Sequence, residues 1–280
     1  MSDTKTIWIT GAKGYLGSQL VKRLTDAEYR VVGTDVELSV GEPERLEAFA
    51  EELQPDAIIN CAGIPRAATG LSNRIKAYEV NALGARNMAL VANTIGAHFI
   101  QISSDDVYAS RTREPVNEFD SPHPDTPYGK SKRAGEMMVK DTMPDHLIVR
   151  ASWLYHAQGG RLGAVLKAAA EGTTYKARTD QFAAPISIAS YARILDKCIQ
   201  KRVTGVLHVA CRGEASRYDL AAKALEICGY EPGKVLVPET DLVTAERIIL
   251  ESLMLEMFGA DLPTWQEDLE KYLKDEGFAK

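Results

Sequence analysis

Tyr128-Gly129-Lys130-Ser131-Lys132 places a phenol and an ammonium four residues apart, one turn of a helix and a shared face. A phenol with a free pKa near ~10 is a weak acid–base catalyst at neutral pH. A lysine beside it stabilises the phenolate and lowers that value, as proton transfer to a carbonyl oxygen requires. Alone, the pair is a common helical face, a surface tyrosine next to a solvated lysine. Its context adds a third part. Ser103-Ser104 closes the apolar run His98-Phe99-Ile100-Gln101-Ile102, and a hydroxyl there can hold a carbonyl that the phenol protonates. Ser104, Tyr128 and Lys132 are therefore the candidate catalytic residues of a carbonyl reduction, with Lys132 also able to bind a cofactor ribose.

Such chemistry needs a hydride carrier, and the chain start offers a place for one. Gly11-Ala12-Lys13-Gly14-Tyr15-Leu16-Gly17 has the spacing G-x-x-G-x-x-G, between the apolar run Thr6–Thr10 and a helical pattern of Leu16, Leu20, Val21 and Leu24. The glycines permit a tight turn, bring backbone N–H groups to a pyrophosphate, and let the helix pack close to the sheet. A second strand, Arg30 to Asp35, ends on an acid that accepts from adenosine ribose hydroxyls and repels a 2′-phosphate. The following Val36, Glu37, Leu38 and Ser39 supply no cation for that phosphate. The pattern predicts NAD(P)(H) binding and leans to NAD(H), with Lys13 as the one opposing charge.

The elements that must position these groups alternate. Further strands are predicted at Asp56–Asn60, His98–Ile102 and Leu147–Arg150, with a helix around Leu46–Leu53 and a long one from Ile75 to Ile95. Strands separated by helices imply right-handed parallel crossovers, hence an α/β fold with a Rossmann-type doubly wound parallel sheet. Residues 1–155 are expected to form the dinucleotide-binding domain. Residues 156–280 are expected to form a smaller, mostly helical substrate lobe interleaved with the sheet. That lobe has a strand at Gly205–Val209, helices near 161–171, 190–200 and 217–228, and final helices over 241–258 and 264–276.

Gly11, Gly14, Gly17, Ser104, Tyr128 and Lys132 together resemble the extended short-chain dehydrogenase/reductases, which act largely on nucleotide sugars. Asn60-Cys61-Ala62-Gly63 is similar to that family's N-x-A-G segment beside the cofactor, and Asn81 falls at the asparagine of its N-x-x-G helix. The resemblance therefore implies Cys61, Ala62, Gly63 and Asn81 as cofactor neighbours. Within the family, the nearest resemblance is to the dTDP-4-dehydrorhamnose reductases. It is carried by Arg150-Ala151-Ser152-Trp153-Leu154-Tyr155, Asp180-Gln181-Phe182-Ala183-Ala184-Pro185 and Gly205–Val209 continuing to Arg217-Tyr218-Asp219. It implies sugar contact by Trp153 and nucleotide contact by Gln181.

Three stretches depart from that pattern. The loop after the third strand usually carries an acid–lysine–acid run and here reads Ala67-Ala68-Thr69-Gly70-Leu71. A C-terminal Arg-Pro motif that helps hold substrate appears as Arg247-Ile248-Ile249-Leu250, so only Arg247 and the later Leu253 carry over. The fourth strand runs into Ser104-Asp105-Asp106-Val107-Tyr108, which resembles the T-D-E-V-Y segment of nucleotide-sugar 4,6-dehydratases. Asp105 and Asp106 are thus either substrate-side acids or solvated carboxylates at a strand end. The leading expectation is an NAD(P)H-dependent reductase of a 4-keto nucleotide-activated deoxysugar. An epimerase or 4,6-dehydratase with retained cofactor, and a non-catalytic dinucleotide-binding regulator, stay open.

Composition excludes other classes. Hydrophobic residues make up 45% and charged residues 26% of the 280, the proportions of a globular protein rather than a disordered or fibrous chain. No apolar run approaches the ~20 residues of a membrane helix, and Met1–Thr10 shows no secretory segment, so a cytoplasmic protein without a membrane partner is expected. Cys61, Cys198, Cys211 and Cys228 lack metal-ligand or redox-pair spacing, so reduced thiols and no metal are expected. The net charge of −6 sits in the last stretch, Glu239–Lys280, with 11 acids and 4 bases. A nearly neutral body with an acidic end gives no footprint for nucleic acid. Relatives of this kind include homodimers, and the sequence identifies no self-complementary patch.

Overall fold

The structure, a computed structural model, describes residues 4–69, 73–112, 114–260 and 262–279. The chain divides into two compact units. The first comprises the residues up to Ala109, Ser121–Arg150 and Ala192–Leu207; the second comprises Ser110–Asp120, Ala151–Tyr191 and the residues from His208 onward.

The first elements are β1 (Thr6–Thr10), α1 (Tyr15–Asp26), β2 (Arg30–Thr34), α2 (Pro43–Leu53) and β3 (Ala57–Asn60). A short 3-10 turn at Arg66–Ala68 precedes α3 (Arg74–Tyr78), a π-helical stretch Glu79–Gly84 and α4 (Ala85–Ile95). The single helix predicted over Ile75–Ile95 is present but widened in the middle. There α5 (Pro127–Thr142) presses in so closely that a Cβ on Gly135 would lie 2.1 Å from the Asn81 carbonyl oxygen. Between them run β4 (His98–Ser104) and a 3-10 turn at Asp105–Val107, and β5 (His146–Ala151) follows α5.

The later elements are β6 (Leu154–Tyr155), α6 (Gly160–Ala170), β7 (Tyr175–Arg178), β8 (Gln181–Ala183), β9 (Ile186–Ser187), α7 (Ile188–Lys201) and β10 (Gly205–Val209). They continue as β11 (Ala215–Ser216), α8 (Arg217–Ile227), α9 (Pro232–Val235), β12 (Leu236–Glu239), β13 (Glu246–Ile248), α10 (Leu253–Met257) and α11 (Trp265–Asp275).

The main sheet has the order β10-β5-β4-β3-β1-β2. β1 pairs in parallel with both β2 and β3, and β3 with β4, in a register that aligns Thr10 with Thr34 and Asn60, and Asn60 with Gln101. The chain leaves β1 for β2 on one side and later returns to β3 on the other, so the strand order reverses at β1. That reversal is where an open α/β sheet forms its ligand crevice. The sheet is buried on both faces: Trp8, Ile58 and Phe99 are fully enclosed on one, Ile7, Ile9, Ile59 and Ile100 on the other. Trp8 also spends its one donor well, Nε1 to Thr34 Oγ1 at 2.9 Å, which ties β1 to the end of β2.

The second unit carries more strand than the sequence predicts. Three small sheets, β11-β8-β13, β12-β7 and β6-β9, accompany its helices. The helix predicted over 241–258 is corrected to β13 followed by the short α10. Ile248, Ile249 and Leu250 are all buried, a continuous apolar run that suits an extended segment rather than one helical face. The backbone N–H groups of Glu246, Arg247 and Glu251 bond to the carbonyls of Asp180, Ser110 and Val116, partners far away in the chain. The unit's own core gathers Val165, Leu225, Val235 and Leu236.

Candidate active site

The glycine turn is shaped by close approaches. Gly11 has φ +64°, and a Cβ there would lie 2.8 Å from the backbone of Cys61 and Ala62, so the turn is pressed against the end of β3. A Cβ on Gly17 would lie 2.1 Å from the Gly11 carbonyl oxygen. Gly14 begins α1 with no side-chain cap and no acid in the first turn, so the helix N-terminus meets an anion with no competing carboxylate. Tyr15 and Leu16 open that helix, Tyr15 exposed and Leu16 half-buried. These residues fit the pyrophosphate of a dinucleotide.

Asp35 follows β2 and faces the same turn. Its Oδ2 accepts the Lys13 N–H at 2.8 Å and its Oδ1 accepts the Val36 N–H at 2.9 Å. Lys13 Nζ is paired with Glu37 Oε2 at 2.9 Å, while Glu37 Oε1 accepts the Asp35 N–H. The hydrogen bond to Glu37 raises the Lys13 ammonium and lowers the Glu37 carboxyl. The one cation in the sequence that opposes an NAD(H) preference is therefore held by a carboxylate that the sequence did not single out. Arg45, on α2, also reaches this loop, and it is engaged by Glu42 at 2.7 Å and by the Glu37 carbonyl.

The catalytic candidates gather in the first unit where β4 ends. Ser104 Oγ donates to Asp105 Oδ1 at 2.9 Å and accepts the Asp106 N–H at 3.2 Å, which caps the 3-10 turn. Tyr128 and Lys132 lie in the first half of α5, whose start is fixed by Pro127 and by Thr126 accepting the Gly129 N–H. A Cβ on Gly129 would lie 1.8 Å from the Asp106 carbonyl oxygen, so glycine lets the helix start abut the turn that carries both acids. Burial raises the Tyr128 phenol well above its ordinary value, and the charges of Asp106 and Asp105 raise it further. Hydrogen bonding with Ser104 and the charge of Arg66 act the other way. The lowering by Lys132 expected from the sequence is corrected: burial and the two carboxylates outweigh it, so the resting phenol stays protonated.

Lys132 is buried, and its Nζ donates to the Ile102 carbonyl at 2.7 Å. Burial lowers its pKa to about 8 against the opposing charges of Glu136 and Cys61. Cys61 is half-buried, with its thiol pushed up to about 12 by burial, so it is an inert neighbour rather than a nucleophile. Asn81 sits in the π-helical stretch and ties three segments together. Its Oδ1 accepts the Ile64 N–H at 2.8 Å, and its Nδ2 donates to the Ile64 carbonyl and, at 2.9 Å, to Ser131 Oγ. Ser131 in turn donates to the Tyr128 carbonyl at 2.7 Å. Ala62 donates its N–H to Asn60 Oδ1, and a Cβ on Gly63 would crowd Asn81 Oδ1 at 3.1 Å. The pattern-derived residues of the first unit are brought together.

Beneath them lies a network that the sequence reading missed. Glu136 and Arg150 are fully buried and pair through two hydrogen bonds of 2.9 and 2.8 Å. Glu136 also accepts from Ser103 Oγ at 2.7 Å and Arg133 at 3.0 Å, and Arg150 donates to the Tyr108 hydroxyl at 2.8 Å. Burial alone would raise the Glu136 carboxyl, but Arg150, Ser103 and Arg133 hold it below its ordinary value.

In the second unit, the Arg217 guanidinium lies 3.2 Å from the centre of the Trp153 ring, a stacked cation–π contact. Gln181 opens β8 and donates to the Thr244 carbonyl at 3.3 Å. Arg247 is on the neighbouring β13, level with Phe182, and is bound by Glu214 Oε2 at 2.6 Å. Of the altered loop Ala67–Leu71, Gly70 and Leu71 lie outside the described residues. Among the described residues, no group of His, Cys, Asp and Glu could hold a metal ion, and no helix is long and apolar enough to cross a membrane. The four cysteines are free thiols.

Known proteins share this architecture. The dTDP-4-dehydrorhamnose reductase of Bacillus anthracis, solved in complex with NADP, superposes with a TM-score of 0.90 at 30% identity, over 98% of this chain and 99% of that one. The spore coat polysaccharide biosynthesis protein SpsK of Bacillus subtilis is 30% identical over 98% of both chains. A dTDP-4-keto-6-deoxy-D-glucose reductase of Streptomyces niveus is 30% identical over 84% of this chain and 83% of its own. The family described as RmlD substrate binding domain matches residues 5–277, and the chain belongs to that family.

Proposed function

We propose that this protein is an NAD(P)H-dependent reductase of a 4-keto nucleotide-activated deoxysugar, with NADH the preferred cofactor. The observation that carries the reading is the assembly of Ser104, Tyr128 and Lys132 where β4 ends and α5 begins, on a family whose relatives are named as such reductases.

In this reading the first unit holds the dinucleotide. Gly11, Gly14 and Gly17, with the amides of Tyr15 and Leu16, receive the pyrophosphate; Lys13, whose amide is tied to Asp35, borders the turn, and Asp35 receives the adenosine ribose. Cys61, Ala62, Gly63 and Asn81 flank the cofactor. When bound, the reduced nicotinamide supplies the hydride. Ser104 holds the sugar carbonyl by a hydrogen bond, and Tyr128 gives its proton to the carbonyl oxygen as charge develops there. Lys132 supplies an ammonium to the nicotinamide ribose and to the phenolate that Tyr128 becomes. In the second unit, Trp153 with Arg217, Gln181 and Arg247 hold the nucleotide sugar.

The test is consumption of NADH or NADPH with dTDP-4-keto-6-deoxy-L-mannose as substrate, followed at the reduced-nicotinamide absorbance. Reduced cofactor should disappear mole for mole with substrate. Tyr128→Phe should lower kcat by about 10²–10⁴-fold with cofactor affinity retained; an unchanged kcat would remove Tyr128 from the mechanism. The buried Asp105–Asp106 pair favours a second reading, an epimerase or dehydratase with retained cofactor. Product formation without net loss of reduced cofactor would establish that reading instead.

A further inference from the structure

Arg66 opens the 3-10 turn that follows β3, and Asp106 lies in the turn that follows β4. An ion pair joins the two turns, Arg66 Nη1 to Asp106 Oδ1 at 3.1 Å, with the arginine side chain 44% exposed and the aspartate side chain 11%. The other aspartate oxygen, Oδ2, lies 3.5 Å from Ser104 Oγ, whose hydrogen is directed to Asp105 Oδ1 at 2.9 Å. Two buried carboxylates thus crowd one hydroxyl, beside the phenol that must give up a proton. Asp106 stands at a departure from the reductase pattern, and the Arg66 turn runs into another, Ala67–Leu71. The fold joins the two.

Like charges held close in a buried setting disfavour each other and any further anion. Proton donation makes an anion: the Tyr128 O–H bond breaks, its proton goes to the carbonyl oxygen, and a phenolate remains. The carbonyl carbon receives its hydride from the reduced dinucleotide, which leaves oxidised. A full charge on both Asp105 and Asp106 opposes the phenolate. We propose that Arg66 is a positioning residue for this reaction: paired with Asp106, it cancels one of the two carboxylate charges beside Ser104 and so eases proton transfer from Tyr128 to the substrate.

Arg66 from the turn after β3, Ser104 and Asp105 from its own segment, and Tyr128 from α5 face Asp106. Of the cations on that helix, Lys132 directs its Nζ to the Ile102 carbonyl and Arg133 pairs with Glu136. Arg66 is thus a cation placed to offset Asp106. The inference rests on the reductase reading, and it assigns Arg66 a part in the reaction without requiring that it touch substrate.

The test compares Arg66→Met, Arg66→Lys, Asp106→Asn and the double variant Arg66→Met/Asp106→Asn by the pH dependence of kcat. Arg66→Met should lower kcat about tenfold or more with the KM for cofactor unchanged, and should move the high-pH limb upward. Arg66→Lys should keep most of the rate, because it keeps the charge. Adding Asp106→Asn to Arg66→Met should restore most of the loss, because the charge that Arg66 offsets is gone. Losses that simply multiply in the double variant would overturn the proposal. If the parent chain reduces no 4-keto sugar, the reductase reading fails, and carbon-13 NMR of the Asp106 carboxyl in the free protein decides the pairing. Asp106 should titrate at higher pH in Arg66→Met than in the parent; equal midpoints would sink the pair's electrostatic role.

Discussion

Glu136 lies one helical turn beyond Lys132 on α5, and the two are buried in opposite conditions. Glu136 has Arg150, Arg133 and Ser103 as partners, whereas the Lys132 ammonium has the Ile102 carbonyl at 2.7 Å. The carboxylate is satisfied in place, and its charge supports the lysine from one turn away. A helix thus carries a buried, easily deprotonated ammonium on top of a structural ion pair.

Lys132 should cost the protein stability. Its pKa is lowered from 10.5 to about 8, so the unfolded chain binds the proton more tightly than the folded one. Below about pH 8 that penalty is fully present, on the order of 3 kcal/mol. It lifts as pH rises from about 8 towards 10.5. Lys132→Met should therefore abolish reduction while raising the unfolding midpoint in urea at pH 7, and the difference from the parent should shrink towards pH 10. An equal or lower midpoint at pH 7 would show that the Ile102 hydrogen bond outweighs the burial of charge.

The Glu136–Arg150 pair should behave in the reverse sense. Its carboxyl is held below the ordinary glutamate value of 4.5, so its stabilisation is present above that pH and is lost as pH falls through the lowered folded value. Arg150→Met leaves a buried carboxylate short of its main partner and should cost about 3–5 kcal/mol at pH 7. The acid unfolding midpoint should move to higher pH. Replacing both partners, as Glu136→Gln with Arg150→Met, should cost less than the single change; a larger loss would mean that the pair stabilises the fold beyond removing a stranded charge.

What the sequence made legible is what is local. The glycine turn, Asp35 and the Tyr128–Lys132 spacing each lie within one strand–turn–helix or one helical turn, where residue type and spacing fix geometry. The ion pairs around them are not local. Glu136 meets Arg150 across 14 residues and Ser103 across 33, and Arg66 meets Asp106 across two strand-end turns. No periodicity encodes such pairs. The missed strand β13 has the same cause, since its partners are Gln181–Ala183 on β8 and the carbonyls of Asp180 and Ser110. The π-helical widening at Glu79–Gly84 lies against α5, at Gly135, a contact that local spacing does not encode.

The proposed preference for NADH rests on the Asp35–Lys13–Glu37 cluster. Glu37 occupies Lys13, and in the proposed binding mode the Asp35 carboxylate would repel a 2′-phosphate. NADH should be used with a kcat/KM at least about tenfold above that for NADPH, which corresponds to ~1.4 kcal/mol. Asp35→Ala combined with Glu37→Ala removes the repulsion and frees Lys13, so NADPH should improve while NADH declines. Steady-state kinetics with both cofactors checks this, and an unchanged ratio in the double variant would place the discrimination elsewhere.

Gly129 offers a test of how tightly α5 must meet the turn that carries Asp105 and Asp106. A methyl group at this position would lie 1.8 Å from the Asp106 carbonyl oxygen and 3.1 Å from the Pro124 side chain. The nearer contact is backbone, so the helix start or the turn has to move. Gly129→Ala should cost about 1–3 kcal/mol of stability. A shift of about 1 Å between Tyr128 and Ser104 should lower kcat by about 10²-fold, with cofactor affinity little changed because the glycine turn is untouched. Gly233→Ala on α9, where an added Cβ meets nothing within 4 Å, should leave kcat as it is. If Gly129→Ala kept full turnover despite its stability loss, the register between α5 and the Asp105–Val107 turn would be a packing requirement alone, and the reaction would not depend on where that turn holds Ser104.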